Sequence, residues 1–140
     1  MNYLLDTNVL SEWTKPRPNA GVVRWLAEAD EDRMFISVVT LGELQCGMER
    51  LAAGAKRKQL AEWLEGELRV RFEKRLVEID QEIAVRWGKI LARADAAGRP
   101  MGALDGYIAA TALVKGMTVV TRNEEDFVAT GIGTLNPWSE

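Results

Sequence analysis

Apolar residues along the chain fall into two rhythms. Short apolar-rich runs at Met1 to Leu5, Met34 to Val38 and Met117 to Thr121 read as strands. Longer stretches repeat their apolar positions at three- and four-residue intervals and read as helices. The clearest covers Gln81 to Ala96, where Ile83, Trp87, Ile90, Leu91 and Ala94 share one face and Gly98 and Pro100 follow as stops. Leu104 to Val114 predicts another, ended by Gly116. Earlier, Asn8 to Trp13 begins a helix that Pro16 and Pro18 break. Asn19 caps the next one, Gly21 to Ala29, with Val22, Trp25 and Leu26 on one side. Thr40 reads as the cap of a helix running to Leu51, striped by Leu44, Met48 and Leu51, with Glu43 completing a capping box. After a turn at Ala52 to Lys56, Gln59 to Glu67 is helical. Val70 to Ile79 mixes both rhythms, with a strand expected around Leu76, Val77 and Ile79. A turn at Asp126-Phe127, a short strand within Gly131 to Leu135 and a closing Asn136-Pro137-Trp138 finish the chain.

Strands alternate with helices, and MTVVT is apolar enough to be buried on both faces. The expected fold is α/β: a three-layer α/β/α domain with a mostly parallel central sheet. No repeat or linker interrupts the 140 residues, so residues 1–140 read as one domain.

Composition narrows the chemistry. Histidine is absent, which removes Ser-His-Asp triads, Cys-His pairs and histidine zinc sites. The single cysteine, Cys46, forms no disulfide within the chain and fits a reducing compartment. No secretory leader and no membrane-length apolar run is visible, so a soluble cytoplasmic protein is expected. The formal net charge is -3, so any nucleic-acid contact has to come from a local patch.

What remains for catalysis is carboxylates, lysine, arginine, cysteine, hydroxyls or a bound ion, and the carboxylates form the clearest pattern. In a parallel sheet, functional groups collect beyond the carboxyl ends of strands. Asp6 ends the first strand. Glu43 and Asp105 sit in first helical turns, and Asn123 and Asp126 follow MTVVT. Carboxylates that converge there repel each other, and a hard cation such as Mg²⁺ or Mn²⁺ relieves the repulsion while lowering the pKa of bound water. Each residue also has a plain alternative. Asp6 or Asn8 caps a helix, Glu43 belongs to a capping box, Asp105 favours a helix dipole, and Asp126 extends a solvated acidic run.

The residues then fit a family pattern. LLDTNVLSE resembles the first motif of PIN-domain proteins, especially VapC-type toxins of toxin–antitoxin systems. ISVVTLGELQCG resembles the second motif and LDGYIAATAL the third. VVTRNEEDF and the terminal NPW complete the pattern in family order, closest to the FitB-like subgroup. The resemblance implies a metal-dependent endoribonuclease acting on tRNA or ribosomal RNA, with Asp6, Glu43 and Asp105 as the acidic metal ligands. The fourth acidic position falls on Asn123, an uncharged amide, with Asp126 nearby as a compensating carboxylate or a turn residue. Thr7, Asn8 and Thr121 would orient Asp6. The implied cofactor is Mg²⁺ or Mn²⁺. The implied partners are RNA, a second copy in a homodimer, and a VapB-like antitoxin that blocks the acidic site with an arginine. DNA would be met only through that antitoxin.

RNA contacts are expected from a local basic excess. Lys56 to Arg75 holds seven basic residues against four acidic ones, offering Lys56, Arg57, Lys58, Arg69, Arg71, Lys74 and Arg75, and Lys15 and Arg17 form a smaller patch. An ordinary solvated helix surface accounts for the same residues. Trp25, Trp63 and Trp87 read as core residues, and Trp13 as an exposed contact. Three other functions share the pattern: a noncatalytic RNA-binding module, favoured by Asn123; an Asp-nucleophile phosphatase, for which no phosphate-steadying base is evident; and a DNase, separated only by recognition of the 2′-hydroxyl.

Overall fold

Adjacent residues of the central strand point into different cores, and this alternation organises the molecule. The computed structural model describes residues 1–139. Strand β1 (Asn2–Leu5) buries Leu5 against one layer of helices and Leu4 against the other, each with no exposed surface. It pairs in parallel with β2 (Met34–Ser37) on one side and with β4 (Met117–Val120) on the other. The two-residue strands β3 (Leu76–Val77) and β5 (Thr134–Leu135) extend the sheet to the order β3-β2-β1-β4-β5, with every pairing parallel. This is the three-layer α/β/α fold that the alternation of elements predicts.

On the Leu5 side lie α1 (Thr7–Trp13), α2 (Ala20–Glu28), α3 (Val38–Glu49) and α4 (Ala55–Glu62). Leu5, Ile36 and Val120 of the sheet pack there with Val9, Leu10, Trp25, Leu44, Leu64 and Phe72. On the Leu4 side lie α6 (Gln81–Ala96) and α7 (Ala103–Lys115), where Val119 meets Ile83, Ile90, Ile108 and three alanines of α7. Burying a side chain of this size contributes about 1.5–3 kcal/mol, so both cores bind the sheet strongly.

Several boundaries move. After α4 the chain keeps turning through wider π-type turns at Trp63–Leu68 into a last turn, α5 (Arg69–Arg71). Leu64, Leu68 and Phe72, four residues apart, are thereby all buried. The strand expected within 70–79 shrinks to Leu76–Val77, and the one within 131–135 to Thr134–Leu135. Helix α3 starts at Ser37, whose hydroxyl accepts from Val39 N at 3.1 Å. Thr40 is therefore not a cap. It lies inside the helix, fully buried, and its Oγ1 has no hydrogen-bond partner among the described residues. Trp13 is not an exposed contact either. It continues the buried stripe of Val9 and Leu10, meets Trp63 edge-on at 6.4 Å and lies under the Arg71 guanidinium at 4.7 Å. Gly116 does end α7, in the left-handed conformation at φ 66°.

The α6–α7 contact is close enough to need a glycine. A Cβ on Gly106 would stand 2.9 Å from Leu91 Cδ2 and 3.1 Å from Trp87 Cδ1. Trp87 stacks on Tyr107 at 4.5 Å and donates from Nε1 to the Ala103 carbonyl at 2.9 Å. The first turn of α7 is thus clamped onto α6. Gly106→Ala is expected to lower stability by about 1–3 kcal/mol through overpacking. Denaturant unfolding checks this, and an unchanged midpoint would mean that α6 simply slides away.

Candidate functional site

The order of the sheet reverses at β1. One connection leaves β1 toward β2, and a later one returns to β4 on its opposite side. Loops diverge at such a point, and a crevice opens beyond the carboxyl ends of the strands. Asp6 ends β1 there and Thr121 ends β4.

Asp6 has two roles in its backbone and side chain. Its N–H continues the ladder to the Val120 carbonyl at 2.9 Å, while its Oδ1 caps α1 by accepting from Thr7 N at 2.8 Å. Oδ2 accepts from the buried Thr121 hydroxyl at 2.8 Å. Asn8 is not the cap. Its amide nitrogen lies 3.3 Å from Thr121 Oγ1 and 3.5 Å from Asp6 Oδ2, and its Oδ1 accepts from Arg122 N at 3.3 Å. Thr121 Oγ1 also accepts from Asn123 N at 3.0 Å. One network therefore joins the end of β1, the start of α1 and the end of β4.

The shifted start of α3 changes what Glu43 can do. With Ser37 as the cap, Glu43 is released from a capping box with Thr40. Its Oε1 instead accepts from the Thr7 hydroxyl at 2.8 Å. Asp105 comes from the opposite layer, in the first turn of α7. Asp6, Glu43, Asp105, Thr7, Asn8 and Asn123 all line one cavity of about 370 Å³.

Charge crowding is visible in the carboxyls. Burial pushes the pKa of Asp6 up, hydrogen bonds from Thr121 and Thr7 pull it back, and the charge of Asp126 pushes it up again. Asp105 is raised to about 6, by burial first and then by Asp6, Asp126 and Glu43. Asp126 thus acts on the site through its charge. It is exposed, in a short turn at Glu124–Asp126, and it lines a neighbouring groove that shares Asp105 with the cavity. Its side chain makes no hydrogen bond to the described residues, so it does not cap that turn. Asn123 is exposed on the cavity wall. Its backbone does the structural work, through its N–H to Thr121 and its carbonyl to Asp126 N at 3.1 Å.

A hard divalent cation suits this donor set. Among the described residues, no three acidic side chains stand close enough to surround an ion by themselves. Mg²⁺ does not need that, because it takes one or two carboxylates and fills its other positions with water and phosphate oxygens. Asp6 and Asp105 have the raised proton affinity that bound positive charge would offset.

The expected basic contacts divide. Lys15 lines the cavity, with its Nζ 2.9 Å from Glu12 Oε1. Arg17, Lys56, Lys58, Arg69 and Lys74 are exposed away from the cavity lining. Arg57 pairs with Glu49 at 2.8 Å, and Arg71 pairs with Glu31 and Glu67. Arg75 donates to the carbonyls of Glu31, Met34 and Arg71, fastening β3 to β2. Sequence reasoning passed over four cavity residues, Ser11, Glu12, Arg122 and Trp138. The TRN and NPW segments signalled the last two, but only as parts of a pattern.

Comparison with known proteins agrees with this fold. The PIN domain family model matches residues 3–132. Toxin FitB of Neisseria gonorrhoeae is 38% identical over 137 residues, covering 98% of this chain and 99% of its own. VapC ribonuclease Y4jK of Sinorhizobium fredii is 35% identical over 135 residues, 96% of each chain. The tRNA(fMet)-specific endonuclease VapC of Shigella flexneri is 30% identical over 139 residues, 99% of each. Among solved structures, FitAB bound to the IR36 DNA fragment superposes with a TM-score of 0.91 at 38% identity, covering 97% of this chain and 95% of that one.

Proposed function

The chain belongs to the PIN-domain family, on the branch that holds the FitB and VapC toxins, and from that premise we propose that residues 1–140 act as one Mg²⁺- or Mn²⁺-dependent endoribonuclease, the toxin of a toxin–antitoxin pair. The observation that carries the reading is the meeting of Asp6, Glu43 and Asp105 from three separate elements in one cavity. A ribonuclease function also follows the names of the relatives, one of which is specific for a tRNA. Assembly with a VapB-like antitoxin, and through it with DNA, follows the FitAB complex. A homodimer remains part of the reading.

Asp6, Asp105 and Glu43 would hold the cation, directly or through water, and Thr7, Asn8 and Thr121 keep Asp6 and Glu43 in place. When bound, the ion would lower the pKa of a water and neutralise charge on the phosphoryl oxygens. In hydrolysis, the oxygen of water bonds to phosphorus while the bond from phosphorus to the 3′-oxygen breaks. The water proton passes to a carboxylate of the site, and the departing oxygen takes up a proton. The products are a 3′-hydroxyl and a 5′-phosphate. Asn123 would offer a carbonyl oxygen, and Asp126 negative charge from the next turn.

The test is incubation of antitoxin-free protein with total bacterial RNA and Mg²⁺ or Mn²⁺. Discrete 5′-phosphate ends are expected, and they should vanish when EDTA removes the metal. RNA that is bound but left intact with either ion would shift the reading to a noncatalytic RNA-binding module.

A further inference from the structure

Two cations line the acidic cavity, Lys15 and Arg122, and they differ in what holds them. Lys15 is occupied by Glu12 Oε1. The other oxygen of that carboxylate, Oε2, accepts from Asn19 N at 2.7 Å. Glu12 is 5% exposed and has a depressed pKa, from Lys15 first and the Asn19 amide next. It is ionised and both its oxygens are taken. Arg122 feels its charge but forms no ion pair among the described residues.

The backbone around Arg122 is nevertheless held on both sides. Its N–H donates to Asn8 Oδ1, and its carbonyl accepts from Asn136 Nδ2 at 3.3 Å. Asn136 Oδ1 also accepts from Trp138 N at 3.0 Å. The Trp138 ring lies 5.7 Å from the guanidinium carbon, within cation–π range, and itself borders the cavity. The DTN and NPW segments thus converge on one residue and leave its charged end exposed. A guanidinium presents paired donors that match two oxygens of a phosphate.

We propose that Arg122, backed by Trp138, forms a phosphate-binding subsite that grips the non-bridging oxygens of the phosphodiester at the acidic cavity. The subsite rests on the nuclease reading above and adds a catalytic residue to it. It supplies the positive charge that an anionic strand needs to approach a rim of carboxylates.

The experiment compares Arg122→Ala and Arg122→Lys, each alone and combined with Asp6→Asn. Binding of a single-stranded RNA is measured on the Asp6→Asn background as a function of salt. Arg122→Ala should weaken binding about tenfold and lower the log–log salt slope by about one, as loss of one phosphate contact does. On the otherwise native chain it should cut the cleavage rate by about a hundredfold. Arg122→Lys should keep most of the binding but not the rate, since an ammonium does not grip two oxygens at once. Millimolar guanidinium should restore part of the Arg122→Ala rate, whereas equal sodium chloride should not. Thermal melting of each variant shows that the fold is retained. Unchanged binding and rate in Arg122→Ala would overturn the subsite while leaving the nuclease intact. Full rescue by lysine would overturn the two-oxygen grip. A native chain that neither binds nor cuts RNA overturns both readings.

Discussion

Asp6→Asn is expected to fold as the parent does and to lose metal-dependent cleavage by at least about a hundredfold, a loss at least as large as that from removing a group that supports a metal ligand. The two halves of the expectation have separate causes. Asparagine retains an oxygen to cap Thr7 N, so α1 keeps its start. The Thr121 hydroxyl already accepts from Asn123 N and Asn8 Nδ2, so it meets the new amide by exchanging the longer Asn8 contact for it. The substitution also removes a charge from a buried position with a raised pKa. Without metal, the variant should therefore melt at or above the parent temperature. What it loses is the carboxylate nearest the switch point of the sheet. The rise in melting temperature on adding Mg²⁺, which reports binding to the folded state, should vanish with the activity. Retained cleavage would move the chemistry away from Asp6.

Asp105 leads to a pH dependence of two opposite signs. Its folded pKa is about 6, whereas in the unfolded chain it releases its proton near pH 4. Between about pH 4 and about pH 6 the folded state therefore holds more protons. Without metal, stability should fall as pH rises through that window and then level off. Two units would correspond to about 3 kcal/mol, but Asp105 is partly exposed, and solvent screening reduces this to about 1 kcal/mol. Asp105→Asn should reduce the dependence to the part owed to Asp6 and raise the melting temperature by about 3 °C at pH 8. Metal affinity runs the other way, because protons compete with the ion for the same oxygens. Mg²⁺ affinity and cleavage should climb from pH 5 to 7 and then level. Calorimetric titration across that range is the check, and an affinity that does not vary with pH would show that Asp105 does not contact the ion.

Long-range order was legible in the sequence wherever one periodicity lasted long enough. Gln81 to Ala96 matches α6 residue for residue. The parallel sheet followed from short apolar runs between helices. The acidic residues were legible as members of a motif; their plain alternatives hold for Asp6, which caps α1, and for Asp105, which lies in a first turn, and fail for Glu43. Glu43 is the sharpest case. A capping box with Thr40 fits the spacing, but Ser37 starts the helix three residues earlier, and spacing does not report which hydroxyl lies at the frayed end. The stretch from Val70 to Ile79 was ambiguous for another reason. It begins in the last turn after the π-type turns, where Phe72 is buried and Val70 stays 67% exposed, and becomes a strand only at Leu76–Val77. Arg122 was obscured because the proposed role rests on its having no ion-pair partner among the described residues, and pairing is a property of three-dimensional neighbours.

The Gly106 contact has a mechanical consequence. The cavity resembles a vice with unequal jaws. Asp105 rides on a helix start bolted to α6 by Trp87 and by a gap too narrow for a methyl group. Opposite it, the segment from Arg122 to Asp126 is held by its backbone and by the Thr134 hydroxyl on Glu124, while Arg122, Glu125 and Asp126 are exposed. For the proposed ribonuclease, adjustment of the site to the width of a bound strand is therefore expected to fall on that second jaw.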